Sequence, residues 1–169
     1  MKKRHFLWAV TGMVGATWLS HDWSGRTKTP MATARSQPNS KFEMTKTEPE
    51  WRKRLTSEQF RVLRQHGTER AGSSPLDKEY RQGTFVCAGC DLSLFTSATK
   101  FNSGTGWPSF DAPLEGAIGT TIDKSLLMTR VEVHCRRCGG HLGHVFDDGP
   151  KPTGKRYCMN GVAMKFIPS

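Results

Sequence analysis

Five cysteines and six histidines are the residues of this 169-residue chain best suited to chemistry. Four of the cysteines form two Cys-x-x-Cys pairs, Cys87/Cys90 and Cys135/Cys138, with 44 residues between the pairs. Each pair is rich in neighbouring glycine, as a tight knuckle requires, and such a knuckle aims two thiolates at one ion. Two knuckles complete a tetrahedral shell, so one structural Zn2+ is expected on Cys87, Cys90, Cys135 and Cys138. Two disulfides or redox-active dithiols are the competing readings, because Cys-x-x-Cys is also a redox motif. A shell closed by four thiolates leaves no open position for water, which argues against a catalytic ion.

Cys158 is left over. Free cysteine is among the most buried residue types, so an inert core thiol is the default reading. Its surroundings point elsewhere. Lys155 and Arg156 precede it, and positive charge favours a thiolate. Asn160-Gly161 follows it. His141 and His144 lie 17 and 14 residues upstream, across a turn at Asp148-Gly149-Pro150 that could fold them back beside the thiol. Thiol and imidazole together make an activated nucleophile. His134, next to Cys135, reads as a solvent-facing strand residue.

The elements that must hold these groups are short. Glycine, proline and scattered apolar runs indicate a β-rich, loop-rich fold. Thr47-Glu-Pro-Glu50 and Thr56-Ser-Glu-Gln59 both match the capping box, so two short helices open the domain. Trp51 and Leu55 share a face of the first, Phe60 and Leu63 a face of the second, and Gly67 is expected to stop it. Gly83–Val86 reads as a strand into the first knuckle and Leu92–Phe95 as its return. Residues 102–109 are a loop by composition. Thr120–Ile122 and Leu127–His134 read as strands, the latter alternating at Val131 and Val133. Arg156–Met159 and Val162–Ile167 are the last strands, with Asn160-Gly161 expected as a hairpin turn between them.

A net charge of +10 suggests nucleic acid at first sight. Seven basic residues and only one acid fall in residues 1–42, however, whereas residues 43–169 carry 18 basic and 14 acidic side chains. The domain is only mildly basic, and no nucleic-acid partner is expected. Met1-Lys-Lys-Arg precedes an apolar run, Phe6 to Leu19, that would span about 21 Å as a helix. That is short of the roughly 30 Å hydrocarbon core and matches a secretory leader. Lys3-Arg4-His5-Phe6-Leu7 resembles a relaxed twin-arginine signal, and Ala32-Thr33-Ala34 has the small-x-small cleavage form. Residues 1–34 are therefore read as an export signal or membrane tether, with an organellar transit peptide or a cytoplasmic tail as alternatives. Residues 35–46 read as linker, and residues 47–169 as one domain, expected to be monomeric.

Four segments in order, together with the two cysteine pairs, carry a family resemblance. Ser103-Gly-Thr-Gly-Trp107-Pro-Ser-Phe110, Gly140-His-Leu-Gly-His144-Val-Phe, Asp148-Gly-Pro-Lys-Pro-Thr-Gly and Arg156-Tyr-Cys-Met-Asn160 resemble the B-type methionine-R-sulfoxide reductases over roughly residues 47–168. The resemblance implies a mainly β fold of two antiparallel sheets with a short N-terminal helical segment, tied by a four-cysteine zinc site, a β-tent-like arrangement. It implies thiol-dependent reduction of the R epimer of oxidised methionine in proteins. Cys158 would attack the sulfoxide sulfur and become a sulfenic acid, with His141 and His144 assisting the departing oxygen and Asn160 fixing a histidine or that oxygen. Trp107, Phe110 and Arg156 would bind substrate. Some relatives of this type carry a resolving cysteine where this chain has Thr105. Its absence implies an external thiol reductant, thioredoxin or similar, acting directly on the sulfenic acid. A non-catalytic zinc-knuckle binding module and a sulfenic-acid redox sensor are the rival functions.

Overall fold

The computed structural model describes residues 42–125 and 128–169. The expected leader lies outside these residues, as does Leu127. Two helices come first, α1 (Glu48–Arg54) and α2 (Ser57–Gln65). Nine strands follow: β1 (Gly83–Cys87), β2 (Ser93–Thr96), β3 (Lys100–Phe101), β4 (Ser109–Phe110), β5 (Ile118–Asp123), β6 (Arg130–Cys135), β7 (His141–Phe146), β8 (Arg156–Met159) and β9 (Met164–Pro168). They form two antiparallel sheets, β2-β1-β9 and β3-β4-β8-β7-β6-β5. The expected mainly β class with two antiparallel sheets and a helical start is what the chain adopts. Among the described residues no helix is long and apolar enough to cross a membrane.

Both capping boxes form. Thr47 and Glu50 exchange bonds at α1, and Thr56 and Gln59 do so at α2. Each satisfies two otherwise orphaned N–H groups at a helix start. The helices bury Trp51, Phe60, Val62 and Leu63 against the sheets. α2 ends one residue earlier than glycine alone suggests: His66 itself takes the left-handed conformation, at φ 55°. Polar side chains such as His visit that region more readily than bulky apolar ones do. The core continues through Phe85, Leu94, Phe95, Phe110, Val133, Leu142 and Met159. Phe95 stacks on Phe110 at 4.3 Å between centroids.

Three local expectations are corrected. Asn160-Gly161 is not a hairpin turn, because β8 pairs with β7 and β4 whereas β9 pairs with β1. Asn160 has φ −66°, outside the positive-φ region that a tight hairpin turn demands. The segment instead carries the chain from one sheet to the other. His134 is buried, not solvent-facing. His134 keeps its place in the regular β5/β6 register opposite Gly119, but its face is covered, because Phe42 meets its ring edge-on. Residues 42–44, read as linker, pack on the domain: Met44 N–H donates to Arg137 O at 2.9 Å, and Glu43 pairs with Arg136.

Candidate active site

A bulge in β7 assembles the site. Along a regular strand, residues three apart point to opposite faces. His141 and His144 would be separated in that way. Leu142 is the extra residue opposite the Val133/His134 step, and its insertion returns both imidazoles to one side. Their rings meet edge-on at 5.4 Å. Asn160 holds the bulge in place: its backbone N–H and side-chain Nδ2 both donate to Leu142 O, at 2.8 and 3.0 Å.

Register does the rest. Cys158 pairs with His144 on one side and Ser109 on the other, and His144 pairs with Glu132. Directly opposed residues share a face, so Ser109, Cys158, His144 and Glu132 form a row across four strands. Gly143 beside this row must be glycine, because a Cβ there would collide with Cys158 O. A cavity of about 200 Å³ opens over the row, lined by Trp107, Gly143, His144, Cys158 and Asn160 together with Thr68, Arg130 and Phe146. Trp107 reaches it from the loop before β4, whose turn rests on Gly104 and Gly106 at φ 71° and 84°.

Two carboxylates orient the imidazoles. His144 Nε2–H donates to Asp123 Oδ2 at 2.8 Å, and His141 Nδ1–H donates to Glu132 Oε1 at 2.8 Å. Hydrogen bonds from Ser125, then His144 and Arg130, hold Asp123 well below the usual carboxylate range. Burial pushes His141 down toward the neutral form, against the pull of Glu132. His141 lines the neighbouring cavity rather than the one over Cys158. Burial also pushes the Cys158 thiol up; Thr105, Arg156 and Ser109 oppose it without overcoming it. The charge of Arg156 therefore does not make a resting thiolate. Arg156 forks onto Asp148 at 2.9 Å in both bonds and stacks over Phe146, so it stands beside the pocket and not in it. Phe110 is fully buried between Phe95 and Phe85 and does not reach the cavity. Its expected substrate contact gives way to a core role.

Glu69 carried no sequence signal and proves central. It is 4% exposed. Its carboxylate accepts from Gly161 N and Val162 N at 2.6 and 2.9 Å. Its backbone N–H donates to Asn160 Oδ1 at 2.9 Å, and its carbonyl accepts from Trp107 Nε1 at 3.2 Å. One residue thus couples the pocket wall to the strand end that bears Cys158. Asp123 and Glu132 were missed as well; nothing in their spacing marks them.

The four knuckle cysteines are buried, and all their sulfurs lie within 4.8 Å of one another. The knuckles are built alike. The Cys87 and Cys135 carbonyls accept from the amides of Asp91 and Gly139, both residues with positive φ. Sulfurs about 3.8 Å apart are what a tetrahedral ion with Zn–S bonds of ~2.3 Å requires. Cys87–Cys138 and Cys90–Cys135 stand at 3.7 and 3.4 Å. The donor set fits one thiophilic ion.

A family model described as the SelR domain matches residues 55–168. The peptide methionine sulfoxide reductase MsrB of Leptospira interrogans is 52% identical over 126 residues, 74% of this chain and 96% of that protein. The MsrB of Methanosarcina barkeri is 55% identical over 122 residues, covering 72% and 86%. This chain belongs to the MsrB family. The chloroplastic reductase B1 of Arabidopsis thaliana, 52% identical over 120 residues, covers 70% of the chain and 59% of its own length. Within this MsrB site, Thr105 Oγ1 stands 3.9 Å from Cys158 Sγ, at the head of a hydroxyl chain through Ser103 to Ser109. Thr105 is thus in contact with the Cys158 thiol.

Proposed function

We propose that this enzyme reduces methionine-R-sulfoxide, chiefly in oxidised proteins, through Cys158. The reading rests on one observation: Cys158 lies in strand register with His144, under a pocket walled by Trp107. A sulfoxide oxygen leaves only once it is protonated. In the proposed cycle the Cys158 sulfur attacks the substrate sulfur, the S–O bond is cleaved in the same exchange, and oxygen ends on Cys158. Cys158 becomes sulfenic acid and the substrate leaves as the thioether, so sulfur oxidation is balanced by sulfur reduction. His144, oriented by Asp123, supplies a proton to the oxygen as negative charge develops. His141 packs against His144 from behind. Trp107 forms the apolar wall for the S-methyl group, and Asn160 keeps the bulge that aims the histidines. Because burial keeps Cys158 protonated at rest, its proton has to leave as substrate binds.

Cys87, Cys90, Cys135 and Cys138 would hold one zinc ion, whose chemistry here is structural cross-linking. Committed to metal, they leave no free thiol to resolve the sulfenic acid. An external thiol, thioredoxin or a similar reductant, attacks it, releases water and forms a mixed disulfide, which a second thiol reduces. Intact mass after one turnover without reductant tests this: the chain should gain one oxygen. Loss of two hydrogens would overturn the external-thiol cycle. The leader is proposed as an export signal or membrane tether; an intact Met1 on a soluble cytosolic protein would contradict it.

A further inference from the structure

Beside the substrate pocket lies a second cavity of about 440 Å³, lined by His66, Asp123, Arg130, Glu132, His141 and His144 among others. Three of these residues converge from three separate elements. His66 Nδ1 and His141 Nδ1 stand 3.0 and 2.8 Å from the same oxygen, Glu132 Oε1. All three ligand atoms fall within 4.8 Å of one another. We propose that His66, Glu132 and His141 form a second metal site, one that takes a divalent transition-metal ion from solution and slows the reductase when filled.

Two imidazoles and a carboxylate are the donor set that suits Zn2+, Co2+ or Ni2+, with one position left open. Bonds of ~2.0–2.1 Å place such donors about 3.3 Å apart, so an outward shift of a few tenths of an ångström admits the ion. The His66 and His141 rings already lie side by side, tilted by 40° with centroids 5.2 Å apart. His66 reaches the cluster from the left-handed end of α2, a conformation uncommon outside glycine. Of the two cationic side chains lining the cavity, Arg130 is paired to Asp123 at 2.8 Å and Lys124 is exposed to solvent. His141 Nε2 is buried with no partner, which leaves Nδ1 as the nitrogen facing Glu132. An ion here would take Glu132 and His141 from their present bond and shift the His141 ring that packs edge-on against His144, disturbing the geometry over Cys158. The inhibitory half rests on the reductase reading; the binding half does not.

The test uses full-length, zinc-loaded protein titrated with Co2+, followed by calorimetry and by the visible d–d bands of the ion. One further Co2+ per chain is expected, without the near-ultraviolet thiolate charge-transfer band. His66→Ala should keep its zinc, melting temperature and basal activity and weaken the second site at least about tenfold. Single-turnover sulfoxide reduction, run without a chelating thiol, should slow with Co2+ in the wild type and not in His66→Ala. Failure of the wild type to bind, or binding unchanged in His66→Ala, overturns the site. Binding that depends on His66 but leaves turnover untouched overturns the inhibition alone, and an inactive wild type without Co2+ counts against the reductase reading instead.

Discussion

Burial and charge pull the Cys158 thiol in opposite directions, and burial wins. The sequence shows only the charge, in Lys155-Arg156; it does not show that Arg156 is forked onto Asp148 or that the sulfur sits below a tryptophan-walled pocket. Alkylation of Cys158 should therefore rise with pH to a midpoint above the ordinary thiol value of about 8.5. Arg156→Met, which removes a group favouring the thiolate, should move that midpoint higher still. A midpoint near 7 in the wild type would contradict the balance described here. Thr105 gives a second residue-level prediction. In Thr105→Cys the new thiol would lie next to Cys158, so one turnover should end in a disulfide, read as loss of two hydrogens in the intact mass.

At the scale of elements, the capping boxes of both helices and the two knuckles were legible because each is a local pattern with a fixed offset. The bulge in β7 was not. It has no composition of its own, yet it unites His141 with His144 on one face. Asn160-Gly161 misleads for a related reason: the dipeptide favours a hairpin, but tertiary bonds to Leu142 and Glu69 commit it to a crossover between sheets. Glu69 is invisible to periodicity because its task is to satisfy distant backbone groups. Glu69→Ala leaves the amides of Gly161 and Val162 without their acceptors, at a cost of about 1–3 kcal/mol each. Thermal unfolding should register that loss, and KM should rise as the Gly161–Val162 segment just beyond Cys158 and Asn160 loosens. Unchanged stability and KM would remove Glu69 from the site.

For the whole molecule, the cysteine cluster joins the β1–β2 knuckle of the small sheet to the β6–β7 knuckle of the large one. Sequence spacing reveals the pairs but not which sheet each serves. Metal binding at such a site contributes folding free energy on the order of 10 kcal/mol. Chelation, or Cys90→Ser, should therefore separate the sheets and abolish cooperative melting, whereas Cys158→Ser should leave melting nearly unchanged. The active centre draws on the α2–β1 connection, the β4 loop and strands β5 to β8, so its activity depends on that junction. The central claim is that Cys158 carries the oxygen away from one epimer of methionine sulfoxide. The most direct measurement is reduction of the separated R and S epimers by wild type and by Cys158→Ser. Reduction of R alone by the wild type, and of neither epimer by the variant, is the predicted result. Reduction of R by Cys158→Ser at the wild-type rate would contradict it.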